Sequence, residues 1–239
     1  MKVGVMAAVA VCLAVGAATA QPPTYVMNAR EDLNGDGKLD SISLVPLERL
    51  EGAFTLTVSG SSVTDRVGGR VEGFLVVDIA WGDGYKEVAV YTQGPSDDFE
   101  SYYFWFNGTE LHRTGKVSGW ARPSGLGTVD VTAWRGFWHI HLEYRLTGEH
   151  TLELVPASLY WVGVDGPCSR AFRIYETPDG DTVAAEVRSG EQVFVVAAMP
   201  KEGGLPDPSG WMYLVKTESN QVGWMRDEPT SRIGVPVAD

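Results

Sequence analysis

The sequence has few cysteines, an excess of acid over base, and no long apolar run after its first twenty residues. Of its two cysteines, Cys12 lies in an N-terminal apolar segment, so Cys168 alone cannot form an intramolecular disulfide in the rest of the chain. Nineteen basic and 31 acidic residues give a formal net charge of −12. This charge disfavours nucleic acid and anionic membranes as partners and makes cations reasonable ligands. No membrane span is expected.

The first twenty residues have the pattern of a secretory signal peptide. A short positive start, Met1-Lys2, precedes a nearly apolar stretch from residue 3 to residue 15. Small residues at Ala18 and Ala20 mark a cleavage site after Ala20. We therefore expect residues 1–20 to be removed and the protein to be secreted or otherwise extracytoplasmic.

Helical periodicity is also missing from the chain after the signal segment. Residues 54–58 alternate between apolar and polar, as a half-buried strand does. Residues 101–106 and 110–112 flank Asn107-Gly108, the strongest short hairpin signal. The predicted fold class is all-β.

The pattern of the chain changes around residues 156–168, which indicates two domains, residues 21–158 and 159–239. In the first, residues 32–44 can be aligned with residues 78–90 as a weak repeat of a strand–loop–strand unit. Such repeats are typical of propeller-like architectures, but two or three units cannot close a ring. We expect a partial-propeller or sandwich-like N-terminal domain, and a C-terminal small barrel of five short strands.

The stretch DLNGDGKLD crowds oxygen-bearing side chains into nine residues. They occupy positions 1, 3, 5 and 9 of the stretch, as Asp32, Asn34, Asp36 and Asp40. Gly37 at position 6 permits a sharp turn, and Lys38 at position 7 can offer its backbone carbonyl. Calcium takes about 6–8 oxygen ligands from loops of this kind. The alternative is a solvated polar turn.

This loop is not an EF-hand. Position 12 is Ser43, where an EF-hand needs a bidentate glutamate, and the residues that follow alternate as a strand. The aligned second copy offers Asp78, Asp83 and Glu87 as a weaker second site.

The acidic stretch resembles the D-x-D-x-D-G-x-x-D calcium loops of FG-GAP and VCBS repeats, with Asn34 in place of a more common aspartate. With the segment from residue 85 to residue 108, the chain is similar to secreted Gram-positive proteins that pair a VCBS-like half with a bacterial SH3 domain. The resemblance implies a structural calcium ion and no particular activity.

The C-terminal segment is similar to bacterial SH3 (SH3b) domains, on the Gly-Trp pairs at residues 210–211 and 223–224 and the Pro-Asp-Gly turn at residues 178–180. Such domains frequently bind cell-wall peptide or other envelope components through a shallow aromatic groove. The candidates for ligand-binding aromatic residues are Tyr175, Trp211, Tyr213 and Trp224. Half of them are expected to belong to the core, with Trp211 and Trp224 favoured for that role.

A different chemistry is suggested by His139-Ile-His141-Leu-Glu143. On a strand these three polar side chains share one face, as zinc or iron ligands can. The same alternation describes an amphipathic strand with a polar outer face.

The leading hypothesis is an exported, non-enzymatic, calcium-stabilised binding module for the cell envelope or a peptidoglycan peptide. One alternative is a secreted metal-dependent hydrolase that uses His139, His141 and Glu143. Another is an accessory domain that binds a second secreted protein.

Overall fold

The computed structural model describes residues 24–47, 52–94, 99–201, 205 and 210–237, which form 18 β-strands and no α-helix. Every strand pair is antiparallel. The all-β prediction is confirmed. The predicted signal peptide and its cleavage point lie outside the described residues. Within the described ranges, no helix has the length and apolar character needed to cross a membrane.

The first sheet is a meander with one face against the core. Its strands, in spatial order, are β1 Asn28–Glu31, β2 Asp40–Pro46, β3 Ala53–Val58 and β4 Ser61–Arg66. Ile42 and Leu56 are buried on the inner face. On the outer face, Thr57 and Ser62 pair through their hydroxyls at 2.8 Å. The two-residue alternation therefore yields a sheet with one dry and one wet face.

The second sheet is buried on both faces. Its strands are β5 Arg70–Val77, β6 Glu87–Gln93, β7 Phe99–Phe106 and β8 Leu111–Ser118. Val88 and Phe104 face the first sheet, whereas Ala89 and Tyr103 join the core on the opposite side. The hairpin predicted at Asn107-Gly108 is confirmed as the turn from β7 to β8.

The third sheet repeats the meander, with β9 Trp120–Pro123, β10 Thr128–Trp134, β11 His139–Leu146 and β12 Leu152–Val155. Val129 and Ile140 face the core, and His139 and His141 lie on the exposed face. Each of these sheets has the four-stranded form of a propeller blade. In the described residues these three sheets stack face to face and do not close a ring, which gives the sandwich-like arrangement.

The C-terminal part is a six-stranded open sheet. Its strands are β13 Tyr160–Pro167, β14 Phe172–Tyr175, β15 Val183–Val187, β16 Gln192–Pro200, β17 Trp211–Thr217 and β18 Val222–Met225. The spatial order is β13-β16-β17-β18-β14-β15. The predicted small barrel does not close in the described residues, because the edge strands β13 and β15 do not pair with each other. A 3-10 turn, Pro229–Ser231, follows β18.

Two hydrophobic clusters hold these sheets together. One fills the space between the first and second sheets, and the other connects the second, third and C-terminal sheets. Trp138, which precedes β11, meets Trp211 edge to face at 5.7 Å. The division between sheets falls between β12 and β13, near the predicted domain boundary at residues 158 and 159, but the core continues across it.

Candidate functional site

The two acidic loops occupy the same place in successive sheets. Each connects the first strand of its sheet to the second, and the second strand begins with an acid, Asp40 in β2 and Glu87 in β6. The Leu33 N–H donates to Asp40 Oδ2 at 3.1 Å, and the Ile79 N–H donates to Glu87 Oε2 at 3.1 Å. The weak repeat seen in the sequence is therefore a structural repeat.

Backbone hydrogen bonds link each loop to the next sheet. The Lys86 N–H donates to the Leu33 carbonyl at 2.9 Å, and the Gly127 N–H donates to the Ile79 carbonyl at 2.7 Å. In the third sheet the second strand, β10, begins with Thr128 in place of an acid. The connection between loops is thus repeated, whereas the buried acid occurs in the first two sheets.

The first acidic loop is wound around its own side chains. Asp32 accepts hydrogen bonds from the Gly35 and Gly37 N–H groups, each at 2.8 Å. Asp36 accepts one from the Lys38 N–H at 2.8 Å, and Asn34 accepts one from the Asp36 N–H at 3.2 Å. These turns leave the loop oxygens close to solvent, and each bonded oxygen keeps a second lone pair for a cation.

Asp40 differs from the other acids of the first loop because it points into the protein. It is 9 % exposed, and the Ser59 hydroxyl donates to its Oδ1 at 2.8 Å. Across the described residues, Asp32, Asp36 and Asp40 do not form a group with ligand atoms within 4.8 Å of one another. The candidate ligand atoms of the loop are nevertheless all oxygens, the type that calcium prefers. Asp40 instead supports the loop from inside, through its hydrogen bonds with Leu33 and Ser59.

The second loop brings two predicted residues together with one that sequence reasoning missed. One ligand atom each from Asp83, Glu87 and His150 lies within 4.8 Å of the other two. Asp78, the third predicted residue of this site, is outside that cluster, and its Oδ1 is buried without a hydrogen-bond partner. No spacing rule connects residue 150 to residues 83 and 87, because the fold alone brings the β11–β12 turn to this loop.

Glu87 has an unusual electrostatic environment. It is 1 % exposed, and its Oε1 has no hydrogen-bond partner. The pKa of Glu87 is raised to about 7, mainly by burial and also by the nearby Asp83 and Asp78 carboxylates, against the lowering effect of the Ile79 N–H. Burial also raises the pKa of Asp78, with a further contribution from Asp83.

His150 is held in place by aromatic rings. His150 lies in the turn between β11 and β12 with φ of +54°, and its backbone N–H donates to the Thr147 carbonyl. The imidazole stacks on Trp105 with 4.1 Å between ring centroids and 16° between planes. Tyr85 meets it edge to face at 5.0 Å. Its Nδ1 is buried without a hydrogen-bond partner.

The two acidic loops touch each other. A Cβ built on Gly35 would lie 2.6 Å from the Gly84 carbonyl oxygen. Lys86 of the second loop forms a hydrogen-bonded ion pair with Glu31 at the end of β1. The hydrogen bond to Glu31 is the main cause of the raised pKa of Lys86. Lys86 therefore lies between acids of the first two sheets, and Lys38 pairs with Asp36 within the first loop at 3.6 Å.

The proposed hydrolase residues do not form a metal site in this fold. His139, His141 and Glu143 share the exposed face of β11, but they are not among the clusters of metal-binding type in the described part of the chain. The ring of His139 packs against Trp134 at 4.8 Å, and His141 Nδ1 lies 3.1 Å from the Thr132 hydroxyl. This is the amphipathic strand that the alternation also predicts.

The four aromatic residues assigned to an SH3-like groove are divided by the fold. Trp211 and Tyr213 are 9 % and 2 % exposed, so both rings belong to the core and offer no face to a ligand. Tyr175 and Trp224 are half-buried neighbours across β14 and β18. The Arg226 guanidinium lies over the Tyr175 ring, 4.1 Å from its centroid.

A cleft of about 630 Å³ lies beside this pair. The residues that line it are mainly apolar or cationic: Pro178, Asp179, Met199, Pro200, Lys201, Met212 and Arg226. Arg226 is fixed there by donating to the Pro178 carbonyl at 3.1 Å and to the Gly180 carbonyl.

Comparison with known proteins gives no assignment: no family model, no curated protein and no solved structure matches this chain.

The contact between the acidic loops predicts different outcomes at two glycines. Gly35 and Gly37 have φ of +71° and +82°, but a Cβ on Gly37 would meet nothing within 4 Å. Gly37→Ala should lower the free energy of unfolding by about 1 kcal/mol, the cost of a left-handed alanine. Gly35→Ala should cost roughly 1–3 kcal/mol more, because its Cβ overlaps Gly84. Urea denaturation would measure both, and equal losses would show that the loops do not touch.

Proposed function

We propose that this protein is an extracytoplasmic, non-enzymatic binding module that takes a carboxylate-bearing peptide of the cell envelope at its C-terminal sheet. The observation that supports this most directly is the cleft of about 630 Å³ beside Tyr175 and Arg226. A first acidic loop that takes calcium is the second part of the proposal. The proposal follows from the resemblance of the sequence to calcium-loop and bacterial SH3 modules.

The lining of the cleft suits a peptide. Met199, Met212 and two prolines supply an adaptable apolar surface, as methionine-containing binding surfaces do. The described residues that line the cleft offer backbone, apolar and charged groups that suit the holding of a ligand.

The charge of the cleft identifies the end of the peptide that it would take. The lining carries two cations, Lys201 and Arg226, against one acid, Asp179, in a chain with a net charge of −12. Arg226 uses one N–H on each guanidinium nitrogen for Pro178, Gly180 and Asp181. Each terminal nitrogen retains one more N–H, and these two donors can take a carboxylate as a fixed fork.

Peptide binding is tested by pelleting the purified protein with isolated cell wall and by calorimetry with a wall stem peptide that ends in a free carboxylate. Lys201→Gln should weaken binding about tenfold, the value of one charge-assisted hydrogen bond, and amidation of the peptide should weaken it similarly. Lys216→Gln is the matched control, because Lys216 is exposed on β17 outside the cleft. Equal binding by both variants, or no retention on wall, contradicts the proposal.

Calcium binding at the first loop is supported by its oxygen-only donor set of Asp32, Asn34, Asp36 and the Lys38 carbonyl. The ion would neutralise the loop and fix how β1 and β2 enter the sheet, and Asp40 would support the base of the loop through Leu33 and Ser59. Its role is structural.

The calcium proposal predicts a stabilisation that depends on Asp36. At 100 times Kd, calcium should raise the free energy of unfolding by about 2.7 kcal/mol, or the midpoint by roughly 5–10 °C, relative to EGTA. Asp36→Ala should lose this increase, and Asp130→Ala, which removes an exposed acid from β10, should keep it. Thermal unfolding followed by circular dichroism measures the effect. A midpoint that is the same in millimolar calcium and in EGTA rules out the site.

Exposed tryptophans favour a second candidate, an accessory domain that binds another secreted protein. Trp81, Trp120 and Trp161 are 73 %, 60 % and 62 % exposed. Trp161 borders a cleft of about 300 Å³ with His141 and Glu143. Large exposed aromatic side chains are typical anchors of protein interfaces. Failure to bind wall, with the protein folded, would favour this candidate.

A further inference from the structure

We propose that Asp83, Glu87 and His150 form a second metal site, distinct from the calcium loop, that takes Zn²⁺ and joins the second sheet to the third. Asp83 lies in the β5–β6 connection, Glu87 is the first residue of β6, and His150 belongs to the β11–β12 turn. One donor atom from each residue lies within 4.8 Å of the other two. Tetrahedral zinc with bonds of about 2.0–2.2 Å places its ligand atoms about 3.4 Å apart, so the triangle would contract around the ion.

Unpartnered buried atoms point independently to a ligand. Glu87 is 1 % exposed, and its Oε1 has no hydrogen-bond partner among the described residues. His150 Nδ1 is also buried and has no hydrogen-bond partner among the described residues. A carboxylate or imidazole nitrogen left unpaired away from water is costly, and a dication coordinated by both would remove that cost.

The donors are already oriented by their surroundings. The Ile79 N–H holds Glu87 Oε2 at 3.1 Å, and the Tyr85 N–H holds Asp83 Oδ1 at 2.8 Å. The Trp105 and Tyr85 rings fix the plane of the His150 imidazole. Partners of this kind, behind the ligands themselves, strengthen a metal site because less order has to be imposed when the ion binds.

The chemistry of the donors separates this site from the first loop. Calcium is bound by oxygen, whereas an imidazole nitrogen with two carboxylates is a donor set that suits zinc. Three protein ligands leave a fourth position for water. Because the ligands come from two sheets, the ion would act as a cross-link, a role that differs from stiffening a single loop.

The test is calorimetric titration of the chelator-stripped protein with Zn²⁺, together with Co²⁺ titration followed by visible absorption, since four-coordinate cobalt absorbs far more strongly than the hydrated ion. We expect one Zn²⁺ per chain and a four-coordinate cobalt spectrum. Glu87→Gln and His150→Asn should each weaken Zn²⁺ binding by more than about tenfold, since loss of an outer partner alone costs that much. Asparagine tolerates the positive φ of residue 150, so this variant should fold even where Glu87→Gln does not.

Two controls make the result specific. His112→Asn removes the other imidazole that stacks on Trp105, at 5.2 Å, and should leave Zn²⁺ binding unchanged. Asp36→Ala alters the first loop and should also leave it unchanged. Absence of Zn²⁺ binding, or binding that is equal in His150→Asn and His112→Asn, would overturn the proposal without affecting the peptide cleft or the calcium loop.

Discussion

The structure depends on a buried carboxylate at the start of the second strand of a sheet. Asp40 and Glu87 each accept the N–H of a fully buried apolar residue, Leu33 or Ile79, from the preceding loop. The carboxylate therefore attaches the loop to the strand that follows it. The Leu33 or Ile79 side chain can then reach the core. A buried carboxylate is costly unless it is hydrogen-bonded, so each site has to be satisfied. Asp40 has the Leu33 and Ser59 donors, whereas Glu87 retains an unpaired oxygen.

These hydrogen bonds from the loops to the buried carboxylates position the sheets for stacking. Once Leu33 and Ile79 are fixed, their carbonyls accept the N–H groups of Lys86 and Gly127 from the following sheet. The second sheet is then buried between two neighbours, and its strand β6 alternates Val88 toward one core with Ala89 toward the other. The acidic loops consequently meet at one edge, which concentrates negative charge where cations would bind, while the cationic cleft lies on the C-terminal sheet. The two proposed activities are thus separated within the fold.

Local patterns in the sequence determine much of this architecture, and long-range contacts determine the rest. Alternation in residues 54–58 and the Asn107-Gly108 turn predict β3 and the β7–β8 hairpin, because strand period and turn chemistry are local properties. The repeat of the acidic loops is also visible. Trp211 is buried as expected, but the sequence does not show that Tyr213 is buried and Trp224 only half-buried, since aromatic rings suit a groove and a core equally well. Nor can it place His150 beside Glu87, because that contact requires the second and third sheets to pack together first.

Hydrogen exchange at the Leu33 and Ile79 amides, measured by NMR, tests the central role of the buried carboxylates most directly. Both amides should be strongly protected even though they lie in connecting loops. In Asp40→Ala, exchange at Leu33 should increase by at least about tenfold, consistent with the roughly 1–3 kcal/mol that an orphaned buried donor costs. Ile79, bound by Glu87, should stay protected in the same sample. Exchange at Leu33 in the unaltered protein as fast as at exposed loop amides would contradict the account.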